Sequence, residues 1–135
     1  PPLDVLVAED NKTNQLVFRK MAAAFNVSLR FANNGLEALE EYRQQVPDMI
    51  FMDISMPEMN GIDLLRRIKS TKSNIQIIMI TAFSTLDKAI DCWDNGATDY
   101  ILKPFTDLDQ IGEIIRLTSE RIQRWEDVAH QSIKA

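Results

Sequence analysis

Short apolar runs rich in Val and Ile alternate with longer segments of helical periodicity along the chain. The runs lie at residues 5–8, 29–32, 49–52, 75–80 and 100–102. Runs that are apolar on both faces are typical of strands in a parallel sheet that helices cover on both sides. The strict alternation therefore predicts an α/β fold with five strands and five helices.

Apolar residues at helical spacing predict a helix after each strand. On the first helix we expect an inward face made of Leu16, Val17, Met21, Ala24 and Phe25. The second helix should end near Pro47, and the third should cover residues 62–68. The fourth should cover residues 86–94, because Gly96 supplies a left-handed carboxyl cap. Asp107 suits the amino cap of the last helix.

The size and composition of the chain fit a single domain with an ordinary core. The chain has 135 residues, of which 45% are hydrophobic. The only cysteine, Cys92, and the only histidine, His130, exclude an internal disulfide and a histidine-based zinc site. These counts favour a reducing cytoplasm.

Net charge disfavours nucleic acid as a partner, and the hydropathy pattern disfavours a membrane. A net charge of -5 argues against direct binding to nucleic acid. The sequence contains no apolar run of the roughly 18 residues that a membrane span requires, so we expect no membrane insertion.

The apolar spacing of the last helix continues well beyond the length that packing on one sheet requires. The stripe consists of Leu108, Ile111, Ile115, Thr118, Ile122, Trp125 and Ala129. Two interpretations stay open: a helix that packs on its own sheet and then frays, or a helical linker or homodimer seam. We predict a folded domain over residues 3–120 and a C-terminal helical extension or linker over residues 121–135.

Charged and hydroxyl side chains follow the predicted strands at the edge where parallel sheets bind ligands. They are Glu9, Asp10, Asp53, Thr81 and Lys103. Close carboxylates repel one another, so their convergence implies a divalent cation. Oxygen ligands without His or Cys favour magnesium or manganese. The three carboxylates, a divalent ion and the lysine would sum to zero charge.

A structural interpretation of the same residues also exists. Lys103 would form an ordinary salt bridge with Asp53, and the acidic pair would cap the first helix. Pro104 weighs against it, because a fixed turn after Lys103 would hold the lysine over the sheet edge. The chain has no glycine-rich phosphate loop and no Ser-His-Asp set, which excludes those catalytic classes.

Four segments resemble the receiver domain of two-component response regulators, over about residues 3–117. They read VAEDN at residues 7–11, MDISMPEMNG at 52–61, TA at 81–82 and DYILKPF at 99–105. The resemblance implies a flavodoxin-like (βα)5 three-layer sandwich with a parallel five-stranded sheet in the order 2-1-3-4-5. It also implies structural turns at Pro57, Gly61 and Pro104.

By this resemblance, Asp53 accepts a phosphoryl group from phosphohistidine on a sensor histidine kinase or a histidine phosphotransfer protein. Magnesium, or manganese, would bind Glu9, Asp10, Asp53 and the backbone carbonyl of Ser55. The chain would catalyse its own phosphorylation without turning over a free substrate. Phe83 suggests slow loss of the phosphoryl group.

The resemblance also implies a switch. Lys103 would pair with a phosphoryl oxygen, Thr81 would move to bond another, and Tyr100 would turn inward. The change would reach the surface of the fourth helix, fifth strand and fifth helix. The main alternative is a receiver-like dimerisation or docking module without phosphate chemistry. A phosphatase that works through an aspartyl phosphate is disfavoured, because it would require a second Asp as general acid where this chain has Ser55.

Several features differ from the common family pattern. Glu9 stands where many members have Asp, which lengthens one ligand arm. Residues 9–15 resemble receivers of hybrid sensor kinases, whereas residues 97–100 and the long last helix resemble regulators with output domains; a recombined receiver also fits. On the first helix, we expect exposed side chains near the partner surface at Asn14, Gln15, Phe18 and Arg19.

Overall fold

A computed structural model of the chain describes residues 2–72, 74–82, 86–103 and 108–134. Strands and helices alternate through them as the sequence predicts. The strands are β1 (Leu3–Ala8), β2 (Val27–Ala32), β3 (Met49–Asp53), β4 (Gln76–Thr81) and β5 (Asp99–Leu102). The helices are α1 (Lys12–Ala22), α2 (Gly35–Gln44), α3 (Gly61–Thr71), α4 (Leu86–Asp94) and α5 (Leu108–Lys134).

The five strands form one parallel sheet in the order β2-β1-β3-β4-β5. This order confirms the flavodoxin-like arrangement implied by the resemblance. Ala8 on β1 pairs with Met52 on β3, and Met52 pairs with Met79 on β4. The register therefore brings the ends of these strands, and the residues that follow them, to the same edge of the sheet.

Two hydrophobic clusters lie on opposite faces of the sheet. Every residue of β3 is buried, with Met49 and Phe51 in one cluster and Ile50 and Met52 in the other. Side chains of α1 and α5 cover the first face, and those of α2, α3 and α4 cover the second. This burial on both faces explains why β3 has a continuous apolar sequence.

The prediction of the inward face of α1 is wrong in part. Leu16 is 55% exposed, and Ala24 and Phe25 lie beyond the end of the helix at Ala22. Met21 was expected and is buried. The other buried side chains of the helix are Gln15, Phe18 and Ala22. A polar residue thus occupies an inward position, which a pattern of apolar residues alone does not reveal.

Helix α5 continues past the edge of the sheet. Ile111, Ile115 and Thr118 are buried, Ile122 is half-buried, and Trp125 is 70% exposed. None of the described helices combines the length and the apolar character that crossing a bilayer requires.

Helix α4 has its predicted bounds, whereas α3 extends to Thr71 beyond its predicted end at residue 68. Gly96, after α4, has a φ of 92°, as a left-handed cap requires. The expectations for Phe83, Pro104 and Asp107 lie outside the described residues.

Candidate functional site

The residues that follow the strands meet at one edge of the sheet. Glu9 comes directly after β1, Asp53 ends β3 and Lys103 follows β5. Glu9 and Asp53 are buried, whereas Asp10 is exposed. One carboxylate oxygen from each of the three acids lies within 4.8 Å of the others. The structure thus brings Asp53 next to the acidic pair Glu9 and Asp10, more than 40 residues earlier in the sequence.

Lys103 reaches into this acidic cluster. Its Nζ donates to Asp53 Oδ2 at 2.8 Å and lies 3.0 Å from each oxygen of Glu9, although only the approach to Oε1 has hydrogen-bond geometry. The backbone N–H of Lys103 donates to the carbonyl of Thr81 at 2.7 Å, which fixes the lysine beside β4. Burial opposes the ammonium charge, but the hydrogen bonds to the two carboxylates outweigh it and raise the pKa of Lys103.

The two oxygens of Glu9 have different surroundings. Oε1 accepts from the Asn11 backbone N–H at 3.2 Å, from the Asn14 amide at 3.1 Å and from Lys103. Oε2 is buried and accepts no hydrogen bond from the described residues. Burial raises the pKa of the Glu9 carboxyl, against the lowering effect of the bonds from Asn14 and Lys103.

The loop after β3 folds tightly against Asp53. The Ser55 N–H donates to Asp53 Oδ1 at 3.1 Å, and the Gly61 N–H donates to the carbonyl of Ile54 at 2.8 Å. A Cβ on Gly61 would lie only 2.3 Å from the Asp53 carbonyl oxygen, so this position requires glycine. Pro57 lies exposed within the loop, and its carbonyl accepts from the Met59 N–H at 2.9 Å.

Two further predicted residues lie on the neighbouring strands. Thr81 is buried at the end of β4. Tyr100, on β5, is half-buried against the core; its hydroxyl is buried without a hydrogen-bond partner among the described residues. Tyr100 also lines a surface groove of about 330 Å³ between α4 and β5, beside the exposed Trp93.

At the start of α1 the structure rules out one alternative and corrects one expectation. The acidic pair does not cap the helix, because the side chain of Asn11 accepts the Asn14 N–H at 3.0 Å. Gln15 and Phe18 are buried rather than exposed, and Gln15 Nε2 donates to the Glu9 carbonyl at 2.7 Å. The contact of Gln15 with Glu9 was therefore missed. A sequence pattern that could have predicted this contact was present: amide side chains begin the helix that directly follows an acidic strand end.

The donor set fits a hard divalent cation. Three carboxylates within 4.8 Å of one another face a single described ammonium group, and the buried Glu9 Oε2 accepts no hydrogen bond from the described residues. Oxygen ligands of this kind suit magnesium or manganese. The acidic group can therefore hold a metal ion.

Curated relatives match most of this chain but exceed it in length. Transcriptional regulatory protein ZraR of Klebsiella oxytoca is 36% identical over 109 residues, which cover 81% of this chain and 24% of that protein. The chain spans about a quarter of the length of this and two further ZraR proteins that it matches.

Solved receiver structures have the same fold. The receiver domain of Francisella response regulator 1452 superimposes with a TM-score of 0.81 at 28% identity, covering 89% of this chain and 98% of that one. A chain of the CheX–CheY–BeF3–Mg2+ complex from Borrelia burgdorferi gives 0.77 at 29% identity, covering 84% and 87%. The sequence profile of the response regulator receiver domain matches residues 5–116. This protein belongs to the receiver domain family of two-component response regulators.

Proposed function

We propose that this receiver domain is the phosphoacceptor switch of a two-component phosphorelay and that Asp53 accepts the phosphoryl group. One observation carries the assignment: the buried Asp53 carboxylate lies 2.8 Å from the Lys103 ammonium, next to two further carboxylates. An anion placed here would meet a cation on one side and a metal-binding cluster on the other. The site is therefore arranged for phosphoryl transfer by positioning and charge stabilisation.

The chemical step requires a donor with a weak bond to phosphorus. A carboxylate oxygen of Asp53 attacks the phosphorus of phosphohistidine; the new P–O bond forms as the P–N bond breaks, and the electron pair returns to the histidine nitrogen. Asp53 becomes an acyl phosphate. The chain thus catalyses its own modification and its slow reversal, without turning over a free substrate.

Glu9, Asp10, Asp53 and the backbone carbonyl of Ser55 would hold magnesium, with manganese as a substitute. When bound, the ion neutralises charge between the attacking carboxylate and the phosphoryl oxygens. The similar CheY chain was solved in a complex that contains BeF3 and Mg2+. Among the residues of this chain, Lys103 would transfer its contact from Asp53 to a phosphoryl oxygen.

The switch would connect Thr81 to Tyr100. The Thr81 hydroxyl bonds a third phosphoryl oxygen, and the space that it leaves favours the inward position of the Tyr100 ring. Because the Tyr100 hydroxyl is already buried, phosphorylation shifts a population rather than creating a new state. The readout surface comprises α4, β5 and α5, where Leu86, Ile90 and Trp93 are exposed.

The phosphoryl donor is a sensor histidine kinase or a histidine phosphotransfer protein. Leu16 and Arg19, on the helix that follows the acidic pair, are exposed and available to such a partner. The exposed Trp125 and Val128 on α5 support a homodimer through the last helix, beyond the domain of residues 3–120. The net charge of -5 argues against direct nucleic-acid contact, and the single cysteine favours the cytoplasm.

The direct test is intact mass after incubation with magnesium and acetyl phosphate. We expect one added phosphoryl group on the native chain, and none on Asp53→Asn or when EDTA removes the metal. Asp63→Asn, an exposed acid in the first turn of α3, is the matched control and should be phosphorylated normally. A folded native chain that gains no mass would contradict the proposal. A phosphoryl half-life of seconds would contradict the slow reversal alone.

A further inference from the structure

The Glu9 side chain is held by a residue that has no direct role in the proposed phosphoryl transfer. We propose that Asn14 is a positioning residue, which turns the Glu9 carboxylate so that Oε2 faces the cation. The inference rests on the proposed function, because it concerns the same metal-binding cluster. Its observation is the unequal sharing of donors: three on Oε1, and none from the described residues on Oε2.

Asn14 is anchored before it reaches Glu9. It lies in the first turn of α1, and its backbone N–H donates to the Asn11 side chain at 3.0 Å. From this fixed position its Nδ2 donates to Glu9 Oε1 at 3.1 Å, and the residue is half-buried. The helix cap therefore determines where the Asn14 amide lies, and the amide determines which oxygen of Glu9 is engaged.

The backbone of Glu9 is fixed independently of Asn14. The Glu9 N–H donates to the Ala32 carbonyl at 3.0 Å, and its own carbonyl accepts from the buried Gln15 amide at 2.7 Å. The remaining freedom lies in the side chain. A glutamate has one more rotatable bond than an aspartate, so its carboxylate needs an additional restraint to present one chosen oxygen. Asn14 supplies that restraint.

Loss of Asn14 would favour a competing arrangement. Lys103 Nζ already lies 3.0 Å from both Glu9 oxygens. A carboxylate released from Asn14 would be free to rotate until Oε2 also accepts a hydrogen bond from the ammonium, and that bond would compete with a cation for Oε2. Outer partners that orient metal ligands typically contribute 10- to 100-fold to metal affinity. We expect about tenfold here, because the Asn11 N–H still restrains Oε1.

The test measures manganese binding without phosphorylation. Free Mn2+ is followed by electron paramagnetic resonance as the ion is added to the native chain, Asn14→Ala, Glu9→Asp and the double variant. Asn14→Ala should weaken binding about tenfold. In the Glu9→Asp background the same change should alter affinity less than about twofold, because the shorter side chain withdraws from the amide. Thr13→Ala, an exposed neighbour on α1, is the matched control and should bind like the native chain.

The outcomes separate this inference from the function on which it rests. Equal affinity of native and Asn14→Ala would overturn the positioning role alone, as would an equal loss in both backgrounds. A folded native chain that binds no manganese would overturn the proposed metal site and this inference together. Circular dichroism of each variant distinguishes a lost contact from a lost fold.

Discussion

The two edges of the sheet carry charge clusters of similar composition that differ in their hydrogen bonding. At the amino edge, Arg30 on β2 lies between Asp4 and Glu41. At the carboxyl edge, Lys103 lies between Glu9 and Asp53. Each cluster has more acids than bases, so net charge does not distinguish them. The difference lies in how completely the acids are bonded.

Three carboxylate oxygens around Arg30 accept its hydrogen bonds. The guanidinium donates to both oxygens of Asp4, at 3.1 and 3.2 Å, and to Glu41 Oε2 at 3.1 Å. It also donates to the carbonyls of Glu41 and Gln45, near the end of α2. This cluster connects the edge strand to its covering helix through charge-assisted hydrogen bonds to both acids.

The carboxyl edge is left incomplete. Glu9 Oε2 is buried without a hydrogen bond from the described residues, and Asp10 adds a third negative charge. Such an arrangement reduces stability and favours the binding of a cation. The comparison teaches that a saturated cluster stabilises the fold, whereas an unsaturated one at a strand end indicates a binding site.

The largest expected effect of a substitution is at the amino edge. Arg30→Met keeps the apolar part of the side chain but leaves Asp4 and Glu41 without their shared donor. We expect the free energy of unfolding to fall by about 2 kcal/mol, because partly buried carboxylates lose their partner. Urea denaturation followed by circular dichroism gives this value.

The matched control for Arg30 is Arg66→Met. Arg66 pairs with Asp63 on the exposed surface of α3, where both side chains are about half exposed. Exposed pairs contribute about 0.5 kcal/mol or less, so this change should hardly alter stability. Equal losses for the two arginines would contradict the structural role of the amino edge.

The next effect has the opposite sign. Asp53→Asn removes one of three close carboxylates while Lys103 keeps its bond to Glu9. At an effective dielectric constant near 20, each of the two other carboxylates within 4.8 Å repels Asp53 by about 3.5 kcal/mol, and loss of the Lys103 pair at 2.8 Å, about 6 kcal/mol, offsets most of the gain. Without divalent ions, we expect the variant to be more stable than the native chain by about 1 kcal/mol.

Magnesium should reverse this order of stability. At 100 times its dissociation constant, a ligand of the folded state adds about 2.7 kcal/mol. The native chain should gain this stability, and Asp53→Asn should gain less. Thermal melts of both chains, in EDTA and in magnesium, measure the difference in stability without metal and the stability that each chain gains from the ion. An Asp53→Asn chain that is less stable than the native chain in EDTA would mean that the carboxyl edge is a structural ion pair.

The sequence predicts the sheet better than the first helix. Strand β3 is apolar at both faces, so its run of residues has few alternative interpretations. In α1 the inward Gln15 is polar because it bonds the Glu9 carbonyl, and the outward Leu16 is apolar. These two residues reverse the rule that apolar side chains face the core, so the sequence predicted the wrong inward face for part of α1.

For the site, the chain order of strand ends predicts which side chains meet, because parallel strands deliver their carboxyl ends to one edge. It does not predict which oxygen of Glu9 is bonded. That detail depends on the path from the Asn11 cap to the Asn14 amide, a matter of local geometry. The sequence also gives no measure of the burial that leaves Glu9 Oε2 without a donor.

The smallest expected effect concerns backbone strain beside the site. Glu58 has a φ of 72°, the only positive value among the described non-glycine residues. It lies between β3 and α3, in the loop that follows Asp53. A side chain in the left-handed region costs about 1 kcal/mol, and the greater freedom of glycine in the unfolded chain cancels about half of any relief. Glu58→Gly should therefore raise stability by about 0.5 kcal/mol.

Glu58→Ala separates this strain from the loss of an exposed charge. Alanine removes the same carboxylate but keeps the Cβ, so it should not gain the stability that glycine gains. The difference between the two variants, measured by urea denaturation, isolates the backbone contribution. A glycine variant no more stable than the alanine variant would show that the loop carries no strain. The contrast between the two edges would then rest on hydrogen bonding alone, because the carboxyl edge would be incomplete in its hydrogen bonds but relaxed in its backbone.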